Sequence, residues 1–276
     1  MSRRTLSKGF HQRGSILAEL CLVIGLAATL ACGVIMPFTA QVEADRERRT
    51  QKQLEELQLA LTGYAQANGR LPCPADPTLP AGAAQAGHDP GFNGRDCARG
   101  YYGAIPWVTL GVPELDGWGR RFVYRVARDL ANNWNECVAD GTGPSICISA
   151  EPPSTSPASA DALEIRSRRT SGPLRTSTEP IATGLAVVVL SAGPTGRFAY
   201  RSDGHRDEPV PAGGSDEARN ASTTSVSFML EMPRPGSGAC DDDRAGGTPC
   251  AFDDRLRWIS RSRLIRDVAR VAVPAQ

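Results

Sequence analysis

Positions 16–38 form one apolar or small-residue run of 23 residues in which only Glu19 and Thr29 are polar. A helix needs roughly 20 such residues to cross a hydrocarbon core. Lipid offers the backbone no partner, so a run like this has to pair its N–H and C=O groups within one helix. Ahead of it, positions 1–14 carry Arg3, Arg4, Lys8 and Arg13 and no acid. A basic flank stays on the cytoplasmic side, which sends the rest of the chain outward. Glu19 breaks the pattern, because a charge at membrane depth costs at least ~2.5 kcal/mol and usually has a partner and a task.

Two ordinary explanations fit less well. A cleaved secretory signal has a shorter apolar core closed by a small-x-small cleavage site, and no such site ends this run. A plain signal anchor accounts for the length and the basic flank. It gives no reason for an acid four residues inside the helix.

The segment Arg13-Gly14-Ser15-Ile16-Leu17-Ala18-Glu19 resembles the N-terminus of type IV prepilins and type II secretion pseudopilins. The resemblance implies that a prepilin peptidase cuts between Gly14 and Ser15 and methylates the new amine. Ser15 stands where the family favours Phe. Glu19 becomes the fifth mature residue and would act as counter-ion to the amine of a neighbouring subunit. Partners implied are the peptidase, other pilin or pseudopilin subunits and the inner membrane.

Past Pro37, whose missing N–H predicts a kink or local melting, positions 42–68 turn charged and helix-favouring. Leu54, Leu57, Leu61 and Tyr64 recur at helical spacing, with Leu59, Ala60 and Ala65 widening the stripe. Asn68-Gly69 followed by Pro72 is a helix stop. The expected organisation is therefore a leader (1–14), one long helix (15–69; transmembrane over 16–38, amphipathic over 42–68) and a periplasmic head (70–276). The fold expected is α+β and pilin-like, with the helix packed on an antiparallel sheet.

Removing the four leader cations leaves 27 Lys+Arg against 30 Asp+Glu. That balance carries no nucleic-acid footprint. Of eight cysteines, Cys21 and Cys32 fall in the apolar run. Cys73, Cys97, Cys137, Cys147, Cys240 and Cys250 fall on the outer side, where an even number reads as disulfides. Their clustering favours the sequential pairs 73–97, 137–147 and 240–250, out of about 15 possible connectivities. No Cys-x-x-Cys occurs, and with His88 and His205 the only outer histidines, a zinc site is poorly supplied.

In the head, positions 70–120 read as irregular, 149–160 as a low-complexity insertion and 201–223 as a polar loop. Strands are expected over 122–126, 162–166, 184–191 and 252–260, the third central because it is apolar on both faces. A short helix is expected over 261–271. Asp116-x-Trp118-Gly119 resembles the Asp-Pro-Trp-Gly turn of major pseudopilins, the turn after Ser191 resembles their Ser-Leu-Gly-x-x-Gly turn, and Leu71-Pro72-Cys73-Pro74 and Ile105-Pro106-Trp107 resemble segments of pilin-like proteins with prepilin-type leaders. Physically, these residues look structural: an indole filling the gap between helix and sheet, and glycines freeing a turn.

No nucleophile, zinc-protease or nucleotide-binding motif is present. The acidic clusters are Asp241-Asp242-Asp243 and Asp253-Asp254. Major pseudopilins hold calcium in a loop after the Ser-Leu-Gly turn, which makes calcium at Asp253 and Asp254 the one cofactor the resemblance implies. Taken alone, the residues favour a solvated acidic loop. The expected function is a structural subunit, of the minor kind given the long head and its disulfides. The alternative is a periplasmic binding protein or enzyme on a plain signal anchor.

Overall fold

The computed structural model describes residues 15–94, 96–131, 162–168, 178–207, 216–233, 240 and 250–272, with 15–18, 27–38 and 270–272 placed as backbone only. The chain divides into two compact units, Met1–Asp45 and Arg46–Gln276.

One helix, α1, runs Ser15–Asn68. It continues through Pro37 without the local melting expected there. Among the described residues no helix is long and apolar enough to cross a membrane. Of the expected span, the side chains at 16–18 and 27–38 lie outside the described residues. Within 19–26, Leu20, Leu22, Val23, Ile24 and Leu26 are exposed. At the other end Gly69, in the left-handed region at φ 67°, donates its N–H to the Ala65 carbonyl at 2.9 Å and closes the helix.

Leu54, Leu57, Leu61 and Ala65 are buried to 1% exposure or less. They recur at three, four and four residues, so they share one helical face. Leu59 does not widen this stripe as expected; it is 69% exposed on the opposite side. Tyr64 is only partly buried and bonds Asp89.

The stripe joins the core of a mixed sheet. Its strands are β3 (Tyr102–Ala104), β4 (Val123–Val126), β5 (Leu163–Arg168), β6 (Thr178–Ser191), β7 (Ser227–Met229) and β8 (Arg255–Ser260). A two-stranded ribbon, β1 (Phe92–Asn93) with β2 (Asp96–Cys97), stands apart. Val187, Val188, Val189 and Leu190 of β6 pair with β4 and β8 at once, which is why that half of β6 is apolar on both faces. Its first half pairs with β5. The pairing is antiparallel as expected except for β5 with β7, which run parallel. A parallel neighbour requires a crossover, here supplied by everything between residues 168 and 227.

Positions 70–120 are less irregular than their glycines and prolines imply, since they hold β1 to β3 and the short helix α2 (Trp107–Leu110). A buried arginine braces them. Arg121, 1% exposed, donates to the carbonyls of Pro77, Leu79 and Ser202 and twice to Glu114, at 2.7–2.9 Å. Its guanidinium also lies over the Trp107 ring at 4.7 Å. The 201–223 segment is not simply a polar loop either. It contains α3 (Asp216–Asn220), pinned by a buried two-bond pair from Arg168 Nε and Nη2 to Asp216 at 2.8 and 2.6 Å. The helix α4 (Arg261–Ala272) follows β8 and buries Leu264 and Val268.

Among the described residues two disulfides are formed, Cys73–Cys97 and Cys240–Cys250, each a sequential pair as expected. Cys137, Cys147 and the 149–160 insertion lie outside the described residues.

Candidate functional site

Three places bear on function. The first is the N-terminal segment. Gly14 lies outside the described residues, and Ser15 opens α1. Glu19 comes one turn later and is exposed, as is the free thiol of Cys21. A carboxylate there is presented outward, available to another chain.

The second is the turn that seats α1 on the head. Asp116 is 3% exposed. Its Oδ1 accepts the N–H groups of Trp118 and Arg120, both at 2.9 Å, and its Oδ2 accepts Ser191 Oγ at 2.5 Å. Burial pushes this carboxyl up, against the pull of those three donors. The turn so held places Gly117 against α1, where its N–H donates to Thr50 Oγ1 at 2.9 Å. A Cβ at Gly117 would come within 2.4 Å of the Arg46 carbonyl. Glycine is required by that approach. Of the two indoles in these motifs, Trp107 is the one that fills the core, at 7% exposure, and Trp118 is only partly buried. Gln53 and Gln58 of α1 add bonds to the carbonyls of Leu115 and Trp258, and Glu47 takes Arg255 at 2.7 Å.

The third is a carboxylate trio, Glu217, Asp253 and Asp254, whose oxygens lie within 4.8 Å of one another. Here the expectation of a solvated acidic loop fails for Asp254, while Asp253 is only partly buried. Glu217 is 1% exposed and Asp254 4%. Asp254 accepts Asn220 Nδ2 at 2.7 Å, Asp253 is fixed by the N–H and hydroxyl of Thr195, and Glu217 accepts the Asp253 N–H at 3.0 Å. Burial, then the neighbouring Asp253 charge, pushes Glu217 up to about 7. Its contact with Arg197 at 3.3 Å pulls the other way and loses. Asp254 is raised well above the usual range by burial and by Glu217. Like charges this close cannot all ionise without a counter-charge. The trio therefore suits either shared protons or a hard, oxygen-seeking cation such as calcium, to which it would offer three of the six to eight oxygens such ions take. Glu217 was missed in the sequence because nothing near it marks a site; only the fold brings α3 to Asp253. Asp241, Asp242 and Asp243 lie outside the described residues.

No protein-family model matches this chain, and no curated protein or solved structure matches it either.

Proposed function

We propose that the chain is a structural subunit of a filament of the type IV pilus or type II secretion pseudopilus kind, of the minor class, anchored in the inner membrane before assembly. The observation that carries this reading is the spacing of Gly14, Ser15 and Glu19 at the start of one helix, α1, that extends 54 residues. A helix of that length supplies both an assembly segment and a face for the head. Support comes also from the residues spent on seating it: the Asp116–Gly119 turn, the buried leucine stripe and the two disulfides serve rigidity, which a load-bearing subunit needs. Processing by a prepilin peptidase would expose the Ser15 amine to Glu19 of a neighbour. If the likeness to major pseudopilins extends to calcium, Glu217, Asp253 and Asp254 are the residues that would hold it.

The second reading, an anchored binding protein or enzyme, is favoured by an open groove of about 430 Å³ lined by Asp76, Leu79, Gln85, His88, Pro90, Ala98 and Arg99. Its size falls within the ~300–1,000 Å³ of small-molecule sites. Its acid, however, is already committed to Arg99 at 2.6 Å and to Thr78. The groove that Asp254 borders holds only about 130 Å³. Mass spectrometry of the mature N-terminus separates the readings. N-methyl-Ser15 is the expected result, and a chain that keeps residues 1–14 in cells with an active peptidase rejects the filament reading.

A further inference from the structure

The loop closed by Cys73 and Cys97 is rich in Ala, Gly and Pro, a composition with little to bury and so little to fix its shape. It is nevertheless pinned along its length. Both cysteines are buried. The buried Arg121 holds the carbonyls of Pro77 and Leu79. Ala81 donates its N–H to the Ser202 carbonyl at 2.7 Å. Asp89 accepts Arg70 Nη1 at 3.0 Å and donates its own N–H to Thr109 Oγ1 at 2.8 Å. On its outer side this braced loop, with Ala98 and Arg99 just past it, lines the groove of about 430 Å³.

Hydrogen-bonding capacity in the groove is lopsided. Asp76 is 8% exposed and its oxygens are taken. Oδ1 accepts the N–H and the hydroxyl of Thr78 at 2.9 and 2.6 Å, and Oδ2 accepts Arg99 Nη1 at 2.6 Å. The Arg99 side chain is 57% exposed. One of its five N–H donors goes to Asp76, which fixes the guanidinium and leaves the other four. His88 and Gln85 are exposed in the same groove, and neither side chain bonds another described residue. The rest of the lining named above, Leu79, Pro90 and Ala98, is apolar.

We propose that this groove binds a carboxylate carried on a short apolar stem. The carboxylate meets the fork of Arg99, with His88 and Gln85 beside it, and the stem covers Leu79, Pro90 and Ala98. A guanidinium fork matches a carboxylate with two parallel hydrogen bonds. The buried acid behind Arg99 does not compete for the ligand's charge, because its oxygens are spent inside the loop. An inorganic oxyanion would use the fork and leave the apolar lining bare. A loop braced before the ligand arrives loses little freedom on binding, which is where small ligands gain affinity. Two sources share this chemistry, a free organic acid and the last residue of a peptide chain. The inference goes beyond the filament reading and does not depend on it, since the groove lies wholly within Arg46–Gln276.

Calorimetric titration of the full-length protein in detergent tests the site. The probes are N-acetyl-leucine, its amide, inorganic phosphate and the peptide Gly-Gly-Leu. N-acetyl-leucine is expected to bind saturably, and its amide, with the same stem and no charge, about tenfold more weakly. Equal binding of the two overturns the inference, as does a Kd for the acid weaker than about 1 mM. Phosphate that binds as tightly as N-acetyl-leucine also overturns it, because the apolar lining would then count for nothing. Gly-Gly-Leu separates the sources. Binding equal to or tighter than that of N-acetyl-leucine assigns the ligand to chain ends, weaker binding assigns it to free acids, and both uphold the carboxylate site. Arg99→Lys keeps the charge and loses the fork, and should weaken binding about tenfold. His88→Glu sets a like charge beside the carboxylate and should weaken it by about as much. The His88 side chain is exposed and unbonded, so an unchanged melting temperature keeps folding out of that result. Parental affinity in either variant overturns the inference.

Discussion

Glu217 shows how a single side chain can carry its chemistry invisibly in the sequence. Its carboxyl titrates near 4.5 when unfolded and about 7 when folded. Between those values the folded state holds a proton that the unfolded state has lost, so stability falls as pH rises through that window and levels off above it. Asp254, also raised, acts in the same direction. Glu217→Gln keeps the shape and removes the charge. It should flatten thermal melts between pH 4.5 and 7 and leave the variant more stable than the parent above pH 7. If the parent shows no loss of stability across that window, the buried trio is not proton-linked. Calcium offers a second check, since occupancy would raise the melting temperature above pH 7 and Glu217→Gln should weaken that rise. The aspartates were legible as an acidic pair. Their burial was not, because it depends on Asn220 and Glu217, which reach them across more than thirty residues of chain.

At the level of elements, the periodic ones were readable and the improvised ones were not. The leucine stripe, the Gly69 stop and the central strand β6 follow from spacing and composition, which are local properties. Leu59 went the other way, because type alone does not say which of two similar residues faces the core. The helix α3 sits in a polar stretch, and a buried Arg168–Asp216 pair, not an apolar pattern, holds it in place, while the parallel strand β7 is too short for its apolar Phe228-Met229 to mark a strand by spacing. The junction of α1 with the head illustrates the same limit. Gly117 looks like a turn glycine, but its role is to lie so close to α1 that an added Cβ would fall 2.4 Å from the Arg46 carbonyl oxygen. Gly117→Ala should force the turn off the helix and destabilise the head by about 1–3 kcal/mol, the usual range for overpacking. Denaturant unfolding of the purified protein measures it. A change below about 0.5 kcal/mol, the scatter of neutral surface substitutions, would show that the turn can shift without loss.

For the whole molecule, the proposed filament role puts its demands on the cross-links and the N-terminal segment. The Cys73–Cys97 loop spans 24 residues and the Cys240–Cys250 loop 10. In the chain-entropy account the longer loop stabilises more, by roughly 0.8 kcal/mol. Paired replacement of Cys73 and Cys97 by Ala should therefore cost more than that of Cys240 and Cys250, and equal losses would point to native-state contacts instead. In the proposed filament, assembly would turn on Glu19. Glu19→Ala should leave insertion intact or improve it, since a carboxylate at membrane depth costs at least ~2.5 kcal/mol. It should still impair entry into a filament, because the Ser15 amine of the neighbouring copy would lose its counter-charge, and an unpaired buried charge is the costly state. The competing view is that Glu19, exposed one turn from the mature end, stays at the level of the lipid headgroups and needs no partner. On that view Glu19→Ala assembles normally. Filament shearing distinguishes the two: wild-type recovery of Glu19→Ala would remove the counter-ion role while leaving the cleavage site untouched, and a selective loss with normal membrane levels would establish it.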